Sequence, residues 1–256
     1  MSSPGAIGSV RQAMGCMLFR RESFRSIAER PSLLKAALIV LTIASLAAWA
    51  SYNYVGKAPA SAFAPLSPTP PVGPQPHPVG PRQPPIAPQQ LRQFLMLGAI
   101  AGSFLSGLAG WVIMSVLFHI LSRGLGGRGS LRGMLALTGY ASTPFLIQQA
   151  LRLLDSFLAS EAEVARLMGT PMLSADPFLN AVVNNALEAV NFFGIWSSAL
   201  LVLATRENYA LPLRKSAVVA AMAHIVRAVG PALPILLLGL WRRHDTSHPQ
   251  QRMSLP

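Results

Sequence analysis

Five long apolar runs, at residues 32–55, 94–121, 131–151, 178–205 and 216–241, alternate along the chain with shorter polar stretches. About 20 helical residues cross a hydrocarbon core of about 30 Å, so each run is long enough to span a bilayer. Inside lipid, backbone N–H and C=O groups must pair within their own segment, which makes helices of these runs. The pattern predicts an all-α, polytopic membrane helix bundle with five transmembrane helices. The membrane domain covers residues 32–241, preceded by a basic cytoplasmic segment at 1–31 and followed by a disordered tail at 242–256.

The polar positions between and within the runs add detail. In the first basic segment, Met14, Met17, Leu18, Phe24 and Ile27 alternate with Arg20, Arg21, Arg25 and Arg30 in a loose helical period. A basic helix with an apolar stripe favours the headgroup boundary, so residues 11–30 are expected as one helix lying on the membrane surface. Arg30 precedes a proline and should end it. Residues 58–93 hold more than half of the 22 prolines and predict an extended extracytoplasmic linker. The first apolar run exceeds the 7–15 residues of a signal-peptide core and is expected as an uncleaved helix, although Ala60-Ser61-Ala62 resembles a cleavage site.

Within the second run a small residue recurs every fourth position, at Gly98, Gly102, Ser106 and Gly110. Such a ridge lets a second helix approach closely, which predicts packing inside the bundle or self-association. The third run contains Gly139-Tyr140-Ala-Ser-Thr-Pro144. Pro144 lacks an N–H, so the Tyr140 carbonyl four residues earlier loses its partner and the helix bends there. Gly139 leaves room beside the bend, and Ser142 or Thr143 is placed to satisfy the freed groups. Ser130 is the expected N-cap of this helix.

Composition supports the lipid reading. The chain is 52% hydrophobic with mean hydropathy +0.43, and only 12% charged, where soluble domains carry about 25%. The net charge of +12 sits in clusters at run ends rather than on one basic face. That placement points to anionic lipid headgroups at a basic cytoplasmic rim and excludes nucleic acid as the expected partner. The lead, the loop with Arg123, Arg128 and Arg132, and the loop with Arg206, Arg214 and Lys215 fall on one side of a five-span topology. Positive charge marks that side as cytoplasmic, with the N-terminus inside. Arg242, Arg243 and Arg252 in the tail run against this pattern.

Candidate chemistry is sparse. Arg227 lies deep in the fifth run beside Pro231 and Pro234, with His224 one turn before it and Asn191 and Glu188 on the fourth run as partners. An intramembrane charge costs about 2.5–3.5 kcal/mol on insertion scales, so Arg227 is expected to face protein or a wet cavity. A polar clasp between the last two helices is the leading reading, and an anion site of a small transporter or channel is the rival. No His-x-x-x-His or Glu-x-x-His pair lies within the spans, so His119 and His224 are read as packing residues rather than metal ligands. No catalytic residue, metal or cofactor is assigned. Cys16 is the single cysteine and is read as an unmodified thiol near the membrane entry.

Gly139-Tyr140-x-x-x-Pro144 resembles the Gly-Tyr-x-x-x-Pro motif of the Yip domain family, named for Ypt/Rab-interacting proteins. The basic Gly-Gly-Arg-Gly-Ser hairpin at 126–130 resembles its prokaryotic branch. So do the lead from Phe24 to Pro31, and Ile195-Trp196 followed by Arg206-Glu207. The likeness spans about residues 16–240, with the proline-rich stretch as an insertion. The Asp-Leu-Tyr-Gly-Pro motif of trafficking members is missing, so Rab binding is not carried over. The resemblance implies five spans, a cytosolic N-terminus, and association with other membrane proteins or with itself; it implies no settled chemistry. The chain is expected as a non-enzymatic protein of a bacterial inner membrane that packs with partners or organises lipid.

Overall fold

The computed structural model describes residues 6–58, 88–168 and 191–229. Among these residues every regular element is a helix: α1 (Ala6–Met17), α2 (Arg21–Glu29), α3 (Leu33–Lys57), α4 (Pro88–Gly124), α5 (Leu131–Ala141), α6 (Pro144–Leu158), α7 (Glu161–Met168), α8 (Phe192–Tyr209) and α9 (Leu213–Val229). Among the described residues two helices, α3 and α4, are long and apolar enough to cross a membrane.

The described residues depart from the predicted runs in three places. The run at 131–151 is two helices, not one bent span, because the chain leaves α5 at Ser142 and restarts at Pro144. Proline fits there as the first helical residue, where no N–H is needed. In the run at 178–205 the described helix begins after Asn191, whose extended backbone caps α8, its side-chain oxygen accepting from Gly194 N–H at 2.8 Å; residues 178–190 lie outside the described residues. The fifth run begins as α9, three residues earlier than expected, and its end lies outside the described residues. The proline-rich stretch also ends early: α4 starts at Pro88, with proline again at a first helical position, and residues 59–87 lie outside the described residues. The predicted tail at 242–256 lies outside them as well.

Packing divides the chain into two compact units. The first comprises the described parts of Met1–Ile39, Gly110–Phe145 and Met172–Pro256. In it α5 and α9 pack on α8, and α2 packs on both α5 and α8. The core joins Met134, Leu137 and Tyr140 of α5 with Leu200, Leu201 and Ala204 of α8, Phe118 of α4 and Val219 of α9. Phe24 and Ile27 of α2 and Cys16 of α1 are buried in the same cluster. This corrects the single surface helix expected over residues 11–30. The lead is two helices broken at Leu18–Arg20, and the apolar face of α2 is spent on protein rather than on lipid.

The second unit comprises the described parts of Val40–Ala109 and Leu146–Pro171. Here α3 meets the end of α6. Trp49 packs edge-on against Phe157, and Asn53 Nδ2 donates to Ser156 Oγ at 3.1 Å. Tyr54 donates to the Asp155 carboxylate. Lys57 Nζ donates to the carbonyls of Phe157 and Ala159 at 2.9 and 2.7 Å, placing a cation on the open carbonyls of a helix C-terminus. At the start of α7, Ser160 and Glu163 bond reciprocally as a capping box. The backbone N–H and the hydroxyl of Ser160 both donate to Glu163 Oε2 and hold its carboxyl below the ordinary value.

Candidate functional site

The Gly139–Pro144 segment lies in the core of the first unit. A Cβ at Gly139 would sit 2.6 Å from Ala36 Cβ and 2.9 Å from Ala36 Cα, so only glycine allows α3 and α5 to approach this closely. Tyr140 and Pro144 are fully buried. The Tyr140 carbonyl, which proline leaves without its usual partner, accepts from Thr143 N–H at 3.1 Å and Thr143 Oγ1 at 2.8 Å. Ser142 Oγ donates to the Thr138 carbonyl at 2.9 Å. The break is therefore internally satisfied, as lipid or core burial demands. Ser197 of α8 adds a bond to the Ala141 carbonyl at 2.9 Å. On the other side of α5, Trp111 Nε1 donates to the Leu135 carbonyl and Ser115 Oγ lies 2.5 Å from Thr138 Oγ1.

Three segments far apart in sequence meet at one end of this unit. Glu207, at the end of α8, is 5% exposed, whereas Arg21 is 53% and Arg25 66% exposed. Arg21 reaches Glu207 Oε1 through Nε at 2.8 Å and Nη2 at 2.7 Å, and Arg25 Nη2 lies 3.6 Å from Oε2. Trp196 Nε1 donates to the carbonyl of Met17, the last residue of α1, at 3.1 Å. The lead is thus held to α8 at two points.

The hairpin after α4 is held to the same helix end. Gly126 has φ +91°, a left-handed conformation that closes α4 with bonds from Gly127 N–H to Ser122 O and from Gly126 N–H to Arg123 O. Arg128 N–H donates to the Tyr209 carbonyl, Asn208 Nδ2 to the Ser130 carbonyl at 2.9 Å, and Lys215 Nζ to the Leu125 carbonyl at 3.0 Å. Gly127, Gly129 and Gly133 press so closely on Asn208 and Tyr209 that a Cβ at any of them would collide. His119 Nδ1 lies 2.7 Å from the hydroxyl of Tyr209, whose burial pushes its phenol up. Ser130 caps α5, accepting from Gly133 N–H at 3.0 Å.

The small-residue ridge of α4 presents the opposite picture. Gly98, Gly102 and Ser106 are exposed, and a Cβ at Gly98, Gly102 or Gly110 would meet no atom within 4 Å. Packing inside the described bundle therefore does not explain the ridge. The glycine of α4 that does meet the chain is Gly107, whose Cβ would lie 3.2 Å from that of Ala44. Exposed Phe94, Leu97, Leu105 and Ile113 flank the ridge.

Among the described residues, the polar side chains of the last two runs take separate places. Asn191 caps α8, Arg227 is exposed in the last turn of α9, and Glu188 lies outside the described residues. His224 pairs with α8: its Nε2 is 2.7 Å from Ser198 Oγ, and that hydroxyl donates to the Gly194 carbonyl. With the hydroxyl proton so used, Nε2 is the donor, and the pair clips α9 to α8. Sequence reasoning missed the Glu207 clamp and the Asn208–Tyr209 lock. One signal for the clamp was available: Glu207 is the single acid in a stretch otherwise marked by Arg206, Arg214 and Lys215.

Neither a curated protein nor a solved structure matches this chain. A family model does: the Yip1 domain matches residues 14–233. That range takes in α2, the hairpin, the Gly139–Pro144 break and α8, the parts that bond to one another in the first unit. By this match, and with two membrane-length apolar helices, the chain is an integral membrane protein that belongs to the Yip1 domain family.

Proposed function

We propose that the protein is a non-enzymatic, five-span membrane protein that acts by helix association, with a second copy of itself or with other membrane proteins. In this reading it lies in a bacterial inner membrane with the N-terminus and the clasped end of the first unit in the cytoplasm. The basic residues of that end, among them Arg123, Arg128, Arg132 and Arg214, face anionic lipid. The observation that carries the reading is the ridge of Gly98, Gly102 and Ser106, which no described residue covers, on a helix of membrane length. Lipid tails are as apolar as the ridge, so association there gains from close van der Waals packing between small residues.

The test is crosslinking of the tagged full chain in native membranes, with mass spectrometry of what co-purifies. Self-crosslinks or reproducible partners that disappear in a Gly98→Leu/Gly102→Leu variant support the reading. A chain recovered alone, with the same result for the variant, overturns it.

A further inference from the structure

The turn between α1 and α2 follows a helix-ending pattern that normally calls for glycine. Arg20 N–H bonds to Gly15 O and Phe19 N–H to Cys16 O, both at 2.9 Å, and the residue in the left-handed position is Phe19, with φ +57°. A bulky residue there is strained. Core packing does not compensate for it, because Phe19 is 45% exposed. Its neighbours are more open still: Leu18 is 62%, Met14 57% and Val10 60% exposed. Val10, Met14 and Leu18 recur every fourth residue and so share one face of the helix. The opposite side, with Gly15 and Cys16, is buried.

Two further facts bear on what could cover this face. The chain enters membrane-length α3 at Leu33, directly after α2 and three linking residues, so a bilayer surface lies within reach. Described α1 and the turn carry exposed Arg11 and Arg20 and no acidic residue. Nearby Arg21 and Arg25 face Glu207, and the remaining acids, Glu22 and Glu29, sit on exposed positions of α2.

We propose that α1 and the Leu18–Phe19 turn form an anchor that inserts Val10, Met14, Leu18 and Phe19 into the headgroup–acyl boundary of an anionic bilayer, with Arg11 and Arg20 on lipid phosphates. An apolar face flanked by basic residues binds such a surface through buried area plus attraction to anionic lipid. The clamp of α2 on Glu207 fixes the anchor to the bundle, so its depth reports the position of the first unit's end. The inference rests on the membrane reading above and makes its basic end a specific lipid contact.

The test uses the full chain in nanodiscs of phosphatidylcholine, with or without phosphatidylglycerol. An environment-sensitive fluorophore is placed on Met14→Cys; Cys16 is buried and its thiol is pushed up to about 12, so it does not compete for label at neutral pH. Strong quenching by a nitroxide on the shallow acyl chain is expected in anionic discs, and several-fold weaker quenching in neutral ones. In the same background, Phe19→Gly relieves the strained turn, so the melting temperature holds or rises while quenching falls several-fold. Arg11→Gln/Arg20→Gln lowers quenching in anionic discs alone. A label open to an aqueous quencher, or shielded from both water and lipid, overturns the anchor. Equal insertion in both lipids overturns its anionic preference. A control label at Leu105→Cys on α4 reads deep in the acyl chains if the membrane reading holds, so failure of that reading is seen separately.

Discussion

Two groups of glycines in this chain look alike in sequence and do opposite things. Gly127, Gly129, Gly133 and Gly139 lie in the first unit where another segment presses on them, and a Cβ at each would collide with it. Gly98, Gly102 and Gly110 lie along α4, where a Cβ would meet nothing within 4 Å. The first group is consumed in building the chain's own fold. The second is left free among the described residues, and a membrane helix that keeps small residues on an uncovered face keeps the option of close contact with another helix. The comparison separates stability from association, and each substitution below should move one without the other.

Tyr140→Ala should have the largest effect. The ring is fully buried in the cluster around α5 and α8, and truncating a buried aromatic costs about 3–5 kcal/mol. Loss of the folded fraction in an unfolding titration in detergent checks it. Gly139→Ala comes next, at about 1–3 kcal/mol, because the new methyl overpacks against Ala36. The same titration checks it, and Gly139→Ala with unchanged stability would remove the reason given for glycine there.

The clamp sharpens the picture of what holds the lead. Arg21→Ala/Arg25→Ala leaves a nearly buried carboxylate, with Arg206 the remaining cation at 4.0 Å. Glu207→Ala leaves two exposed guanidiniums that water solvates. The double arginine variant should therefore cost more, about 2 kcal/mol against about 1 kcal/mol after discounting for exposure. Protease accessibility of the α1–α2 turn reads the release of the lead, and the reverse order of the two variants would contradict the assigned burial.

The smallest effect is expected at Ser160 and Glu163. The folded carboxyl titrates below its ordinary value of 4.5, so its contribution is complete above 4.5 and is lost as pH falls through the lower folded value. Ser160→Ala removes the hydroxyl bond and keeps the backbone N–H bond, so the Glu163 titration should move only part of the way toward 4.5, read by carboxyl chemical shifts, with little change in stability at neutral pH.

Much of the local structure was legible because it follows from backbone needs. A proline without an N–H dictated a break near Tyr140, and the hydroxyls that satisfy it stand beside it in sequence. Ser130 as a cap and the glycine turn after α4 are equally local. What was not legible depends on distant partners. The stripe of Phe24 and Ile27 looks the same whether it meets lipid or α8, and the structure gives it to α8. Asn191 reads as an intramembrane polar residue until the extended backbone before α8 makes it a cap. The α4 ridge is visible at four-residue spacing, but spacing cannot say whether the chain itself fills it.

The central claim is that the two glycine groups divide fold from association. The most direct measurement compares Gly139→Ala with Gly98→Leu/Gly102→Leu in one preparation, reading unfolding and the crosslinked fraction of the full chain in native membranes. The account predicts that Gly139→Ala lowers stability, whereas the α4 variant unfolds as before and loses its crosslinks. Loss of stability in the α4 variant, or crosslinks that survive it, would contradict the account.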